Sequence, residues 1–439
     1  MAPHQLVIAL LYVLPLAALL ILYVCRRRQR EARGRAALAE ATEAGLNEPA
    51  SLHPEVDPVR CIGSGSCARV CPEQALALVD GKARLVNASA CIGHGACQAA
   101  CPFDAITLVF GTARRGMDIP KVNPDFQTNV PGIFIAGELG GMGLVRKAVE
   151  QGSQAMASIV ARARRQSPPA GGHDVLIVGA GPAGLSAALA AKAAGLDYAL
   201  IEQETSLGGT IYHYPRNKIV MTAPMKLPIV GMVRLSEISK EALLALWQRV
   251  IDEAGIDIQF GQRMERLASM DGGGFSVTTS KGEVKAGSVL LAVGRRGTPR
   301  KLEVPGEEQS KVVYRLVDAE QYRGARVLVV GGGDSALEAA LALGEQPGTT
   351  VTLSYRGDAF GRVKGKNRSA IEEAAALGRV QVLLRSRVER IEADSVALGT
   401  DTGTVVMPND HVIVCAGGIL PISTLKDAGI VVETKYGTA

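Results

Sequence analysis

Residues 5–24, QLVIALLYVLPLAALLILYV, form an apolar run without a single charge. As a helix, about twenty such residues would span roughly 30 Å, the thickness of a bilayer's hydrocarbon layer. CRRRQR follows at once. A cleavable export signal has its charge before the apolar core and small residues after it, the reverse of this order. The positive-inside rule keeps Arg26, Arg27, Arg28 and Arg30, and the chain beyond them, on the cytoplasmic side. The run carries no amphipathic stripe, which argues against a buried core helix. The expectation is a single-pass anchor in the plasma membrane, with residues 1–25 as the transmembrane helix. Residues 26–56 are charged and Ala-rich and end among Pro49, Pro54 and Pro58, a pattern that predicts a helical stalk running into an extended linker.

Farther along, the apolar spacing changes twice. CPEQALALVDGKARLV and CPFDAITLVF alternate apolar and polar positions over short stretches and predict small strands in residues 57–110. HDVLIVGAGPAGLSAALAAKAAGLDYALIEQE, residues 173–204, reads as an apolar strand, a glycine turn, an Ala-rich helix and a second strand ending in acid. ARVLVVGGGDSALEAALAL, residues 325–343, repeats that order. Gly and Ala abound, aromatic residues make up 4% of the chain, and there is one Trp, which suits close-packed α/β layers better than an aromatic-rich sandwich. The net charge of +5 is modest, its Arg clusters have local explanations, and no nucleic-acid partner is indicated.

The two glycine turns carry the nucleotide chemistry. In the first, Gly179 makes the tight turn, Gly181 lets the backbone approach a pyrophosphate, and Gly184 permits close helix–strand packing, while Glu202 stands where a carboxylate accepts ribose hydroxyls. In the second, Gly331, Gly333 and Ala336 take the glycine-type positions, with Asp334 and Ser335 between them. The strand after this turn ends without an acid and is followed by Arg356, Arg362, Lys364, Lys366 and Arg368. Cations in place of a carboxylate favour NADPH over NADH.

Six of the eight cysteines lie in two near-repeats, CIGSGSCARVCP at residues 61–72 and CIGHGACQAACP at residues 91–102. Clustering of this kind points to a metal centre rather than to disulfides. The repeats resemble the C-x2-C-x2-C-x3-C-P runs of bacterial two-cluster ferredoxins, over residues 57–110, with Ser64 and His94 at the second position. In that family the fourth cysteine of each run ligates the other cluster. The resemblance thus implies one cluster on Cys61, Cys67 and Cys101 beside Ser64, and one on Cys71, Cys91 and Cys97 beside His94. Four-iron clusters with Ser or His as fourth ligand, or three-iron clusters, fit this donor set, and imidazole in place of thiolate would raise the potential. An iron-free remnant and a zinc site are the alternatives.

Two dinucleotide folds in series, with LGGTIYHYPR, LLAVGRRGTPRKLEVPGE, GGGDSA and HVIVCAGGILP, resemble the two-dinucleotide-binding flavoproteins of the thioredoxin reductase and bacillithiol disulfide reductase branch. The resemblance covers most of residues 173–439 and implies FAD on the first fold, with Gly208 and Gly209 beside it, and NADPH on the second. Thioredoxin reductases carry a Cys-x-x-Cys pair near GGGDSA, whereas this chain has Gly333, Asp334, Ser335 and Ala336 there and Cys415 alone. Electrons therefore leave the flavin by another route. The family's closing strand and helix, T-x-x-P-G-I-F-A-A-G-D and beyond, are matched upstream by FQTNVPGIFIAGELGGMGLVRKAVEQGSQAMASIVARA, residues 126–163, with Gly137 and Glu138 in the cofactor-binding positions. FGTA at residues 110–113 and YGTA at residues 436–439 mark the joint of a circular permutation. The expected division is a transmembrane helix at 1–25, a stalk at 26–56, a ferredoxin-like domain at 57–110, the permuted FAD segment at 111–166, the FAD domain at 173–303, the NAD(P)H domain at 304–415 and a return to the FAD domain at 416–439. SPPAGG, residues 167–172, reads as the connecting linker.

The sequence thus predicts a membrane-anchored oxidoreductase that moves electrons between NADPH and an unidentified redox protein through FAD and fused clusters. No acid–base side chain is required for hydride transfer to flavin, so no catalytic residue is assigned. Tyr212, His213 and Tyr214 are candidates for contact near the ring. A disulfide or quinone reductase with accessory clusters, a slowly turning redox sensor, and a homodimer remain open.

Overall fold

The computed structural model describes residues 3–43, 49, 52–91, 93–113, 116–141, 143–214, 216, 218–221, 224–235, 237–295, 297–361, 363–419 and 421–437. They fall into two units, Met1–Val109 and Phe110–Thr438.

In the first unit, helix α1 (Pro3–Glu43) runs unbroken past the arginines, with Pro15 inside it. Among the described residues no helix is long and apolar enough to cross a membrane. The side chains described on α1 begin at Val13, and the apolar stretch from there ends at Arg26. The stalk expected from residue 26 is helical as far as Glu43, whereas the extended linker expected after it needs correcting. Gly34 brings α1 against the backbone of Leu78, where a Cβ would lie 2.7 Å from the carbonyl oxygen, so this part of the helix packs on the cysteine module. His53–Val56, read as linker from its proline, is a strand paired antiparallel with Ile106–Val109. Pro54 is tolerated because a two-stranded ribbon leaves one edge of the strand without a partner. Leu76–Val79 pairs with Lys82–Leu85. Helices α2 (Ser66–Val70) and α3 (Ala96–Ala99) each follow a cysteine loop, and Gly65 and Gly95 at their N-caps take the left-handed conformation that glycine accepts without strain.

In the second unit the strand Ile133–Ile135 is followed by α4 (Val145–Ala163), and the first glycine turn by α5 (Pro182–Ala193). One sheet runs Met264–Ser269, Phe275–Thr279, Gly282–Leu291, His173–Val178, Tyr198–Ile201. Ile133–Ile135 joins it in parallel register beside Leu291, so the strand that precedes the first glycine fold in the chain is hydrogen-bonded within that fold. Parallel strands covered on both faces call for continuous apolar runs, and Ile133, Phe134, Ile135, Leu176 and Ile177 are all buried. Ser186 Oγ on α5 donates to the carbonyl of Val149 on α4 at 2.8 Å, and a Cβ on Gly152 would collide with the carbonyl oxygen of Ala183. Met117–Pro120 pairs antiparallel with Val432–Lys435, and the Gly437 N–H donates to the Phe110 carbonyl at 2.8 Å, so FGT and YG meet.

Helix α6 (Lys240–Ala254) is capped by Ser239, whose hydroxyl accepts the Ala242 N–H. The second glycine fold is a parallel sheet in the order Val312–Val313, His411–Val414, Arg326–Val330, Thr350–Ser354, Val380–Leu383, with α7 (Asp334–Gly344) and α8 (Gly365–Ala376). The two folds are joined by a narrow crossing in which Thr298–Pro299 pairs with Gly418–Ile419.

Candidate functional site

A cavity of about 630 Å³ opens along the first glycine turn, within the range of cofactor pockets. Gly137, Glu138, Gly179, Gly181, Glu202, Gly209, His213 and Tyr214 line it. Gly179 takes φ +108°, and a Cβ there would meet the Ala292 carbonyl oxygen at 2.7 Å. Gly184 lies beneath, so close to Gly179 that a side chain would collide with its carbonyl oxygen. Gly181 and Gly209 face each other bare, with a Cβ on Gly209 reaching the Gly181 Cα at 3.1 Å. Gly208, at φ +104°, donates its N–H to Ala180 O at 2.9 Å and holds this second glycine pair in place. No side chain caps α5, so its first N–H groups stay free for an anion.

Glu202 is buried, and its carboxylate accepts the N–H groups of Ala180 at 2.7 Å and Glu204 at 3.0 Å. Burial pushes its pKa up, against the pull of those hydrogen bonds. Glu138 is also raised by burial, opposed by the charge and backbone N–H of Arg295, whose Nη1 donates to the Asp118 carbonyl at 3.1 Å. The extra methylene relative to an aspartate therefore leaves the carboxylate on the cavity wall beside a cation. Burial raises Tyr214 as well, with Glu138 and Glu338 adding to the effect. Tyr212 is not among the lining residues and is partly exposed.

The six thiols of the first unit ring two smaller cavities. Cys61, Cys67 and Cys101 line one together with Ser64, and Cys71, Cys91 and Cys97 line the other together with His94. Among the described residues no three His, Cys, Asp or Glu side chains converge as a single metal ion requires. Three soft sulfur donors spread around each cavity suit a multi-iron cluster instead. Burial pushes the thiols of Cys67 and Cys91 up, and that of Cys97 to about 11, with neighbouring cysteines adding to it. Without a metal these groups would keep their protons, whereas a bound cluster takes them as thiolates. The rims differ. Ser64 is exposed, its Oγ 3.4 Å from Ser66 Oγ, and Arg69 donates to the Ser64 carbonyl at 3.4 Å. His94 is half-buried, and Glu73 lies on the same cavity.

At the second turn, a Cβ on Gly331 would collide with the Cys415 carbonyl oxygen, and Gly333 has open space around it. Asp334 opens α7 and accepts the Lys364 N–H at 2.9 Å and the Asn367 amide at 2.8 Å. Ser335 is exposed and Ala336 buried. Arg356 is exposed at the end of the strand Thr350–Ser354, Arg368 is committed to Glu372 at 2.8 Å, and Arg362 lies outside the described residues. Cys415 is half-buried beside the core of this fold, and desolvation raises its thiol to about 12, which keeps it protonated.

Residues 176–438 match the pyridine nucleotide-disulphide oxidoreductase family. The chain belongs to that family. Residues 53–102 match the 4Fe-4S dicluster domain, a range that takes in the strand His53–Val56. The chain is 31% identical to the ferredoxin–NADP reductase of Ignicoccus hospitalis over 270 residues, covering 60% of this chain and 83% of that one. It is 26% identical to the bacilliredoxin reductase Bdr of Bacillus subtilis over 270 residues, covering 60% and 83%. The solved bacillithiol disulfide reductase Bdr from Staphylococcus aureus superposes with a TM-score of 0.52 at 25% identity, covering 60% of this chain and 84% of that one. The protein is thus an FAD-dependent NAD(P)H oxidoreductase of the pyridine nucleotide-disulphide family with a fused 4Fe-4S module.

Sequence reasoning missed the residues that hold the flavin cavity from α4. Gln151 Oε1 accepts the Gly137 N–H at 2.9 Å, and Gly152 seats α4 on α5. Gly152 stood in the sequence as a glycine inside a helical pattern, a signal of close packing. Arg295 could be found only as the first Arg of GRRG at the crossing between the folds.

Proposed function

We propose that this protein is a membrane-anchored, cytoplasm-facing reductase that exchanges electrons between NADPH and a ferredoxin-type partner through its own two clusters. One observation carries the reading. Six thiols divide three and three around two cavities, in a chain that has no Cys-x-x-Cys pair near its second glycine turn, where Cys415 stands alone. When bound, FAD exchanges hydride with the nicotinamide and single electrons with the clusters. The chain's own residues bind and orient these groups and keep water from them. Gly179, Gly181, Gly208 and Gly209 would hold the FAD pyrophosphate at the start of α5, and Glu202 the ribose. Gly137, Glu138 and the start of α4 would border the flavin side. Gly331, Gly333, Asp334, Ser335 and Ala336 would form the NADPH turn, with Arg356 and Arg362 at the 2′-phosphate. Cys61, Cys67 and Cys101 with Ser64, and Cys71, Cys91 and Cys97 with His94, would ligate the clusters.

Anaerobic purification with iron and sulfide analysis, followed by electron paramagnetic resonance during NADPH addition, tests the core of the reading. The expected result is two reducible clusters per chain. A protein without iron under strict anaerobiosis would overturn it. Arg356→Gln is expected to lower the preference for NADPH over NADH roughly tenfold or more, the worth of one charge-assisted contact. An unchanged ratio would place the 2′-phosphate elsewhere.

The anchor is supported by the apolar run at residues 5–24, and by Val13, Leu14, Leu16, Leu19 and Leu20, each more than half exposed on α1. After cell fractionation the protein should stay with membranes through an alkaline carbonate wash, and release by that wash would refute the anchor. The similarity to the solved bacillithiol disulfide reductase Bdr favours a second reading, reduction of a disulfide such as the one in that protein's name. NADPH oxidation with ferredoxin, quinone and disulfide acceptors separates the two, and negligible turnover with all three would point to a sensor.

A further inference from the structure

The narrow crossing at Thr298–Pro299 and Gly418–Ile419 cannot by itself set the angle between the two glycine folds. The side chains of His213, Arg216 and Lys218 in the flavin-side fold meet the nicotinamide-side fold at three places. Lys218 Nζ donates to both carboxylate oxygens of Glu338 on α7, at 2.8 and 2.7 Å. Arg216 Nη1 lies 3.6 Å from Asp318 Oδ2. Arg315 reaches Nδ1 of His213, whose Nε2 lies 3.5 Å from Glu204 Oε1.

The Lys218–Glu338 pair has side chains 29% and 21% exposed, against 61% and 28% for Arg216 and Asp318. An exposed ion pair contributes little, whereas one withdrawn from water and fixed by further hydrogen bonds favours a single geometry. Both ends here are fixed. Asn367 Nδ2 donates to Glu338 Oε1 at 3.2 Å and to Asp334 Oδ1 at 2.8 Å, and Asp334 opens α7 one turn before Glu338. Lys218 sits 5.4 Å from the centre of the Tyr214 ring, and Tyr214 lines the flavin cavity. One ion pair therefore joins a wall of the first cavity to the helix that starts at the second glycine turn.

We propose that Lys218 and Glu338 are positioning residues, a clasp that sets the nicotinamide-side fold against the flavin cavity for hydride transfer. The proposal rests on the reading that NADPH reduces a flavin held in the first fold. Neither side chain need touch a cofactor. Their contribution is to the population of the arrangement in which the two nucleotide sites face each other.

Anaerobic stopped-flow reduction of the flavin in the full-length holoprotein tests the clasp. Lys218→Met and Glu338→Gln are each expected to lower the limiting rate of flavin reduction by NADPH about tenfold, with FAD content and half-saturating NADPH nearly unchanged. The charge-swapped double variant, Lys218→Glu with Glu338→Lys, is expected to recover most of that loss. Wild-type rates in both single variants, or a double variant as slow as the singles, would overturn the proposal. Hydrogen exchange reads the clasp without turnover, and each single variant should exchange faster at Thr298, Gly418 and Ile419. Protection equal to wild type there would also overturn it. Should a single variant fold poorly, Lys218→Arg and Glu338→Asp keep the pair and are expected to keep the rate, and a tenfold loss in both would count against the clasp. A wild-type flavin reduced by neither NADPH nor NADH would refute the enzymatic reading, while hydrogen exchange would still decide on the clasp.

Discussion

Alanine at Cys101 is expected to empty the same cavity as alanine at Cys61 or Cys67, while alanine at Cys71 is expected to act like alanine at Cys91 or Cys97. In the chain, Cys71 stands next to Cys67 and thirty residues from Cys101. In space it lines the cavity of Cys91 and Cys97. Each variant removes one of only three thiolates around its cavity, so one cluster should be lost and the other kept. Metal sites in small modules fail when a single ligand is removed, because metal binding and folding are coupled. The measurement is iron per chain, expected to fall by about half, together with the paramagnetic signal that remains. The same signal should survive in the Cys61, Cys67 and Cys101 variants, and a different one in the other three. If Cys61, Cys67 and Cys71 instead removed a common signal, the crossing would be wrong. The Cys61, Cys71 and Cys101 sulfurs also accept the N–H groups of Ala83, Ala75 and Ala105 at 3.4 Å, so these three variants should carry a small further loss of stability.

The second large effect is expected at Gly152. A methyl group there meets the carbonyl oxygen of Ala183 where α4 and α5 come closest, and backbone cannot give way as a flexible side chain would. Gly152→Val should therefore push the helices apart, at a cost of about 3 kcal/mol. Leu144, Val145 and Ala148 on one side of the flavin cavity and Pro182 and Ala183 on the other would separate with them. FAD retained through gel filtration should fall to a small fraction of wild type, while iron in the cysteine module should not change. Full FAD retention with an unchanged melting temperature would show that this helix contact does not hold the cavity.

Much of the site could be read because its information is local. A glycine turn between a β-type run and an Ala-rich helix needs no distant residue to be recognised, and Gly179, Gly181, Gly184 and Gly331 stand in the backbone geometry expected of them. The cysteine grouping was readable only through the resemblance to two-cluster ferredoxins, in which the fourth cysteine of each run serves the other cluster, since spacing alone would have placed Cys71 with Cys67. The strand His53–Val56 was hidden by its proline, because its partner lies some fifty residues away. Gln151 and Arg295 were hidden because a side chain's hydrogen-bond partner is set by tertiary packing, not by spacing along the chain. The Lys218–Glu338 pair joins residues 120 apart and left no mark in either segment.

The pairing of Met117–Pro120 with Val432–Lys435 also orders events during synthesis. The cysteine module closes on itself within residues 52–109 and can gather its metal as soon as that stretch leaves the ribosome. The flavoprotein unit cannot close then. Its strand at residues 117–120 must wait for a partner some three hundred residues later, roughly half a minute at ordinary elongation rates. For that interval a finished metal module is carried by a nascent chain whose flavin pocket is still incomplete. Cluster insertion should therefore precede flavin binding in each newly made molecule.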